Sequence, residues 1–321
     1  MPINDTLSRY SDLAFASAVT SYLLALLLLI AAYAMTSTPA PEVAAERRRV
    51  LVGAAMTPGR VIEPPRRSLP ERLGRMGFNV LIAGWGLHVA AIILRGVATG
   101  RAPWGNMYEF VTLTCAVAVA AGFVMLRTPR LRPMWVFVLI PVLILLFVAG
   151  TVLYATAAPV VPALQSYWLR IHVSVISLGS GVLMISGVAS LLFLLRIRHP
   201  EGTEGIGLLG RLARRLPDAQ TLDRLAYRAT IFAFPVFGAG VVLGAIWAEA
   251  AWGRFWGWDP KETTSFVAFI VYAAYLHARA TAGWRTTRAA WINVAGFAAM
   301  LFNLFIVNMV VSGLHSYAGL N

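Results

Sequence analysis

MWVFVLIPVLILLFVAGTVLYA, residues 134–155, runs 22 positions without a charged side chain. A hydrocarbon core about 30 Å thick takes roughly 20 such residues in a helix, so the stretch reads as a membrane span. Seven further segments have the same character: 13–35, 77–97, 107–126, 170–195, 229–249, 264–283 and 289–312. The composition agrees. Of 321 residues, 59% are hydrophobic and 13% charged, against about 25% charged in a soluble domain; mean hydropathy is +0.71. The expected fold class is all-α, a polytopic integral membrane protein with eight transmembrane helices. The first segment follows a polar dozen residues and has no A-x-A-like cleavage site, so it reads as a span rather than a removable signal peptide.

The charge tests this topology. Twenty-seven Lys and Arg stand against 14 Asp and Glu, a net +13. On a soluble protein that excess would suggest nucleic acid. Here it sorts by loop, as basic residues retained on the cytoplasmic side do. The loops 36–76, 127–133, 196–228 and 279–288 hold 21 of the basic residues, and the opposite side holds Arg9, Arg101, Arg254 and Lys261. Arg95 and Arg170 lie at outer helix ends, where long side chains snorkel. The alternation places both termini on the outer, extracytoplasmic side and leaves no case for a nucleic-acid partner. Residues 1–76 form an N-terminal span plus a basic, proline-rich cytoplasmic linker, and 77–321 a second, membrane-embedded part. Within the loop 196–228, GRLARRLPDAQTLDRLAYR suits a short amphipathic helix on the membrane surface. Lys261 is the only lysine, and the preference for arginine reads as genome composition. Cys115 is the only cysteine, so the chain has no intramolecular disulfide, CxxC pair or CxxCH haem-attachment site of its own.

Histidine is costly in a bilayer and usually marks a site there. Counting residues from the expected span ends puts His172 and His315 near the outer surface, and His88 and His277 near mid-membrane. His199 lies in a basic loop beside Pro200 and receives no role. Two imidazoles on opposing helices suit a haem iron, whereas zinc or copper normally recruits further Cys, Asp or Glu. The plainer reading is four histidines bonded to neighbouring helices.

Between the sixth and seventh spans runs WAEAAWGRFWGWDPKETTSF, residues 247–266, with Trp247, Trp252, Phe255, Trp256, Trp258 and Phe266. Interfacial tryptophan belts are ordinary, but four tryptophans in twelve residues, spaced by Gly253 and Gly257, also suit a shelf for a flat apolar macrocycle. Asp259-Pro260-Lys261-Glu262 has the form of a capping box opening the seventh helix.

This loop resembles the WWD domain of haem-handling membrane proteins. Within that group the chain is similar to the CcsA/ResC type of cytochrome c biogenesis protein (system II). The stretches GWGLH at 84–88, WGNMYEF at 104–110, SYWLRIHVSV at 166–175, VYAAYLH at 271–277 and VSGLHSYAG at 311–319 carry the likeness, which spans roughly 77–321. Thr264 departs from it, where relatives often have another aromatic residue. The resemblance implies that 77–321 is a haem-handling membrane domain in a bacterial cytoplasmic (inner) membrane, with its active site on the outer face. It implies that His172 and His315 hold haem b, as substrate, against Trp252, Trp256, Trp258 and Asp259. It implies that His88 and His277 form a transmembrane pair that receives the haem first. The activity implied is that of a cytochrome c haem lyase component, joining haem to the CxxCH thiols of an apocytochrome c. A ResB-type membrane partner and a thiol-reducing thioredoxin-like protein are the implied partners. Arg95, Arg170 and Arg254 are the candidate cations for the haem propionates. Two other readings fit the same residues: a bis-His b-type membrane cytochrome transferring electrons, and a haem-free channel or transporter with packing histidines. No P-loop, GxGxxG fingerprint or Ser/His/Asp constellation is evident.

Overall fold

The computed structural model describes residues 3–35, 68–284, 286–311 and 313–315. Most of the expected basic linker, 36–67, lies outside the described residues. All regular structure among the described residues is helical. Nine α-helices run in chain order: α1 (Asp5–Met35), α2 (Leu69–Thr99), α3 (Met107–Met125), α4 (Met134–Thr151), α5 (Tyr167–Arg198), α6 (Leu208–Ala213), α7 (Ala219–Trp252), α8 (Pro260–Ala280) and α9 (Thr287–Met309).

Seven of these are long and apolar enough to cross a membrane: α1 to α5, α7 and α9. The chain is a multi-pass membrane protein. The eighth expected span, 264–283, corresponds to α8, which is not among the seven because Lys261, Glu262, Thr263, Thr264, Ser265, His277 and Arg279 dilute its apolar run. The surface helix expected over 210–228 does not form as one piece. Only Leu208–Ala213 makes a short α6, and residues 219–228 are the first turns of α7, capped by the Asp218 carboxylate, which accepts from Thr221 N at 2.8 Å.

α1 and α2 pair along their whole lengths through a heptad seam. The buried residues of α2 are Gly77, Leu81, Gly84, His88, Ala91, Arg95 and Ala98; α1 offers Ser11, Phe15, Ala18, Tyr22, Ala25, Leu29 and Ala32. Both sets alternate spacings of four and three, the signature of helices packed side by side. In lipid no hydrophobic force draws helices together, so close approach of small residues does the work. A Cβ at Gly84 would come within 2.9 Å of Ser21 Cβ, so the seam closes because glycine stands there.

α5 is the central helix, packed on α3, α4, α7 and α9. Its Ser186 and Ser190 both accept from Asn293 Nδ2 of α9, at 2.8 and 2.7 Å, and Ser186 Oγ lies 2.6 Å from Thr230 Oγ1 of α7. These bonds tie three helices together where water is scarce. At the end of α2, Glu109 accepts from Arg95 (3.1 Å), Arg101 (2.8 Å) and the Gly105 amide (2.7 Å). That clamp fixes the turn between α2 and α3, which carries Trp104.

Candidate functional site

His172 is in the second turn of α5, against α7. Its Nδ1 is 2.8 Å from the Gly240 carbonyl oxygen, and its ring stacks on Trp247 at an interplanar angle of 8°. Gly240 and Gly244 stand one turn apart on α7 and make this approach possible. A Cβ on Gly240 would lie 2.8 Å from Ile176, and one on Gly244 would lie 2.8 Å from His172 Cε1. With Nδ1–H donating to the carbonyl, the lone pair sits on Nε2.

His315 follows α9 and is held by the cap of α8. Asp259 is that cap. Pro260 takes the first helical position, and Glu262 accepts from the Asp259 amide at 3.1 Å, so the expected capping box is present. Glu262 also accepts from Gly257 N at 2.8 Å and pairs with Arg254 at 3.4 Å. Trp258 between them adopts φ +58°, a left-handed conformation unusual for a bulky residue. The Asp259 oxygens then accept from Leu314 N at 2.7 Å and from His315 Nδ1 at 2.8 Å. Burial works against the Asp259 charge, but the His315 ring and the Leu314 and Lys261 amides hold its carboxyl down at about 2. Burial also pushes His315 below the ordinary histidine value, against the pull of Asp259. The ring is therefore neutral at pH 7, with Nδ1–H turned to the carboxylate and the lone pair on Nε2.

The two rings meet at one tryptophan. Trp247, 2% exposed and anchored by its indole N–H on Ala163 O at 3.1 Å, is 6.0 Å from His172 and 5.7 Å from His315 between ring centroids. Trp252 lies 5.2 Å from His315, edge-on. Both histidines line a cavity between α3, α5, α7, α8 and α9. Its walls are mainly aromatic and aliphatic, with Trp104, Phe110, Trp252 and Trp256 among them. Mostly apolar concavities with a few placed polar groups are the usual form of a small-molecule or cofactor site. Two neutral imidazoles with fixed tautomers, each held through Nδ1, are the arrangement metal-binding histidines adopt.

Trp258 is 67% exposed and does not line the cavity; its ring touches Trp256 edge-on at 5.8 Å. It belongs to the outside of the loop. Thr264 bonds Asn303 Oδ1 of α9 at 2.8 Å, tying α8 to α9.

His88 and His277 are not brought together. His88 is fully buried in the α1–α2 seam, its Nδ1 3.1 Å from Tyr22 Oη. His277 is exposed on α8, two residues before Arg279, which pairs with Asp223 at the start of α7. α2 packs on α1 and α3, and α8 on α7 and α9. The depths differ too. α8 begins at Pro260, so His277 lies about 26 Å along it, close to its far end. The transmembrane pair of His88 and His277 that the resemblance implies is therefore not brought together in this arrangement. Among the propionate candidates, Arg95 is 2% exposed and engaged by Glu109 and, at 3.7 Å, Asp12. Arg254 is paired with Glu262, and Arg170 is exposed and outside the cavity lining.

Residues 104–315 match the family model for the cytochrome C assembly protein. The chain is 33% identical to the cytochrome c biogenesis protein CcsA of Guillardia theta over 267 residues, covering 76% of this chain and 88% of that protein. It is also 33% identical to CcsA of Gloeobacter violaceus over 276 residues, covering 71% and 81% respectively. This chain belongs to the CcsA family of cytochrome c biogenesis proteins. Its fold is also that of the solved cytochrome c haem lyase CcmF, with a TM-score of 0.62 at 17% identity, over 95% of this chain and 47% of that one. The family match begins at Trp104 and ends at His315, so it takes in every residue of the cavity lining. The α1–α2 seam with His88 lies outside it.

Proposed function

We propose that this CcsA-type chain holds haem b, its substrate, at the outer face of a bacterial cytoplasmic membrane for covalent attachment to an apocytochrome c. The observation that carries this reading is the shared environment of His172 and His315. Both turn Nδ1 to a fixed acceptor and both pack on Trp247 in one apolar cavity. Trp252 and Trp256 would bear on the macrocycle, and Asp259 would orient His315. Trp258 lies outside the cavity and would face the incoming polypeptide. Eight crossings, α8 included, with both termini outside, put this cavity on the side where apocytochromes c are matured.

The chemistry asked of the chain is positioning. Each thioether forms when a substrate S–H adds across a haem vinyl group. The C–S bond forms, the C=C π bond and the S–H bond break, and the proton ends on the vinyl terminal carbon. Nothing is oxidised. The nucleophile belongs to the apocytochrome, kept reduced by a thioredoxin-like protein, and a ResB-type membrane partner completes the lyase.

The test is to delete the chain in its host and to purify it with its partner. Loss of covalent haem in c-type cytochromes, together with a low-spin bis-His spectrum of the purified protein, is the expected pair of results. Unchanged holocytochrome c levels would favour the b-type electron carrier, and a colourless protein with adequate haem supply the haem-free transporter.

The glycines of α7 give a second test. Gly244→Val drives a branched side chain into the His172 ring and breaks its bond to Gly240. Bound haem, read as Soret absorbance per protein, is expected to fall about tenfold or more, the scale for losing a ligand's support. Gly86→Ala, where a Cβ meets nothing within 4 Å, is expected to leave it unchanged.

A further inference from the structure

Among the described residues Lys261 is the one cation lining the cavity, and it is the only lysine in the sequence. It stands in the first turn of α8. Its Nζ donates to Asn308 Oδ1 at 2.8 Å and lies 5.9 Å from the Phe110 ring centre. No ion pair among the described residues includes it. The two carboxylates beside it in sequence are committed elsewhere: Asp259 to Leu314 N and His315, Glu262 to Arg254 and the Gly257 and Asp259 amides. An ammonium has three donors, and one is used. The same lining contains Trp104, whose buried indole Nε1 has no hydrogen-bond partner. Indole is a donor only. A buried donor left unmade is expensive, and a charged one more so. Among the described residues, the lining of an apolar cavity thus contains a lysine and an indole N–H that both lack an anionic acceptor.

We propose that Lys261, assisted by Trp104, is the carboxylate-binding end of this cavity and takes a propionate of the bound porphyrin. The inference rests on the haem-holding function above and deepens it. The three arginines expected to serve the propionates are paired or lie outside the lining. Haem b has its propionates on one edge and its vinyl groups toward the other. Anchoring a propionate at Lys261 therefore sets which edge faces the incoming thiols, and Lys261 is a positioning residue for thioether formation.

The test uses the full chain purified in detergent, titrated with metal-free protoporphyrin IX and with its dimethyl ester, read by quenching of tryptophan fluorescence. The parental chain is expected to bind the diacid about tenfold or more tightly than the ester, the scale of a charge-assisted hydrogen bond. Lys261→Met should bring the ratio close to one with ester affinity unchanged, which also reports that the variant is folded. Lys261→Arg should keep most of the preference, and Trp104→Phe should reduce it in part. If Lys261→Met loses ester binding as well, Lys261→Gln, which can still bond Asn308, replaces it. A variant that keeps the parental ratio, or a parental chain with no preference, overturns the subsite and leaves haem ligation standing. Because the probe has no iron, a wrong assignment of His172 and His315 shows in the haem spectrum and leaves this ratio intact. A parental chain that binds neither porphyrin overturns both.

Discussion

His315→Ala and His172→Ala are each expected to end maturation of c-type cytochromes and to strip haem from the purified protein. The reason is that each ring holds Nδ1 on a fixed acceptor and turns Nε2 away from it. His172 spends Nδ1 on Gly240 and stacks on Trp247; His315 spends Nδ1 on Asp259 and meets Trp247 and Trp252 edge-on. Loss of a supporting partner alone is worth roughly 10–100-fold in metal affinity, so loss of a ligand itself should leave haem below about one hundredth of the parental occupancy. Fold is the confounding variable, and added imidazole resolves it. Truncation leaves a ring-sized space beside Trp247, and free imidazole entering it should restore a low-spin spectrum and part of the maturation. Two variants that mature cytochrome c at the parental rate would remove this pair from the site. Two that lose maturation but keep a parental bis-His spectrum would move the iron elsewhere and leave only a docking role here.

Much of this arrangement is legible in the residues, and the missing parts share a cause. Span positions follow from a local property, the length of an uncharged run, and the capping box at Asp259 is local as well. Residue counting placed His172 and His315 together because both lie within two turns of a helix end, where an error of a few residues changes little. It misplaced His277: counted from a span start at 264 the residue sits near mid-membrane, but the helix starts earlier, at Pro260, and His277 stands three residues from its other end. The heptad at Gly77, Leu81, Gly84, His88, Ala91, Arg95 and Ala98 was also present in the sequence. Taken as a seam, it explains both His88 and Arg95 as α1-facing residues, the first against Tyr22 and the second among carboxylates. Gly240-x-x-x-Gly244 is likewise a visible small-residue pair. What it admits is an imidazole from another helix, and no spacing within α7 reports that. Lys261 read as a helix-start residue for the same reason: its partners, Asn308 and Phe110, are far away in the chain.

Those cross-helix facts divide the molecule. The family match covers α3 to α9 and contains the cavity, while α1 and α2 pack against each other and reach α3 and α4. Glu109 joins the two parts. It gathers Arg95 from α2, Arg101 and the Gly105 amide from the following turn, and so holds Trp104 at the cavity wall. The first two helices therefore contribute to the site by fixing the turn that enters it, with no ligand of their own.

Asp259→Asn is expected to be nearly as damaging as loss of His315, although it changes one atom's chemistry and puts another good capping residue at the start of α8. Asparagine caps helices about as well as aspartate, so α8 should still start at Pro260. The aspartate uses both oxygens as acceptors, Oδ1 for Leu314 N and Oδ2 for both His315 Nδ1–H and the capping Lys261 N at 3.3 Å. An amide has one oxygen and one NH2. If the oxygen stays with Leu314, the NH2 faces His315 Nδ1 and can be satisfied only if that nitrogen accepts. The ring proton then moves to Nε2, and the nitrogen turned to the cavity becomes a donor that cannot bind iron. If the amide flips, Leu314 loses its acceptor and the 313–315 segment its anchor. Either way haem retention should drop by about 10–100-fold, as for other orienting carboxylates behind a ligating histidine. Asp259→Ala should lose the same haem and also helix stability, by about 1 kcal/mol for the cap. The comparison separates the roles: thermal unfolding in detergent should shift more for alanine than for asparagine, while Soret absorbance falls for both. An asparagine variant with full haem and full maturation would show that His315 takes its tautomer from something other than Asp259.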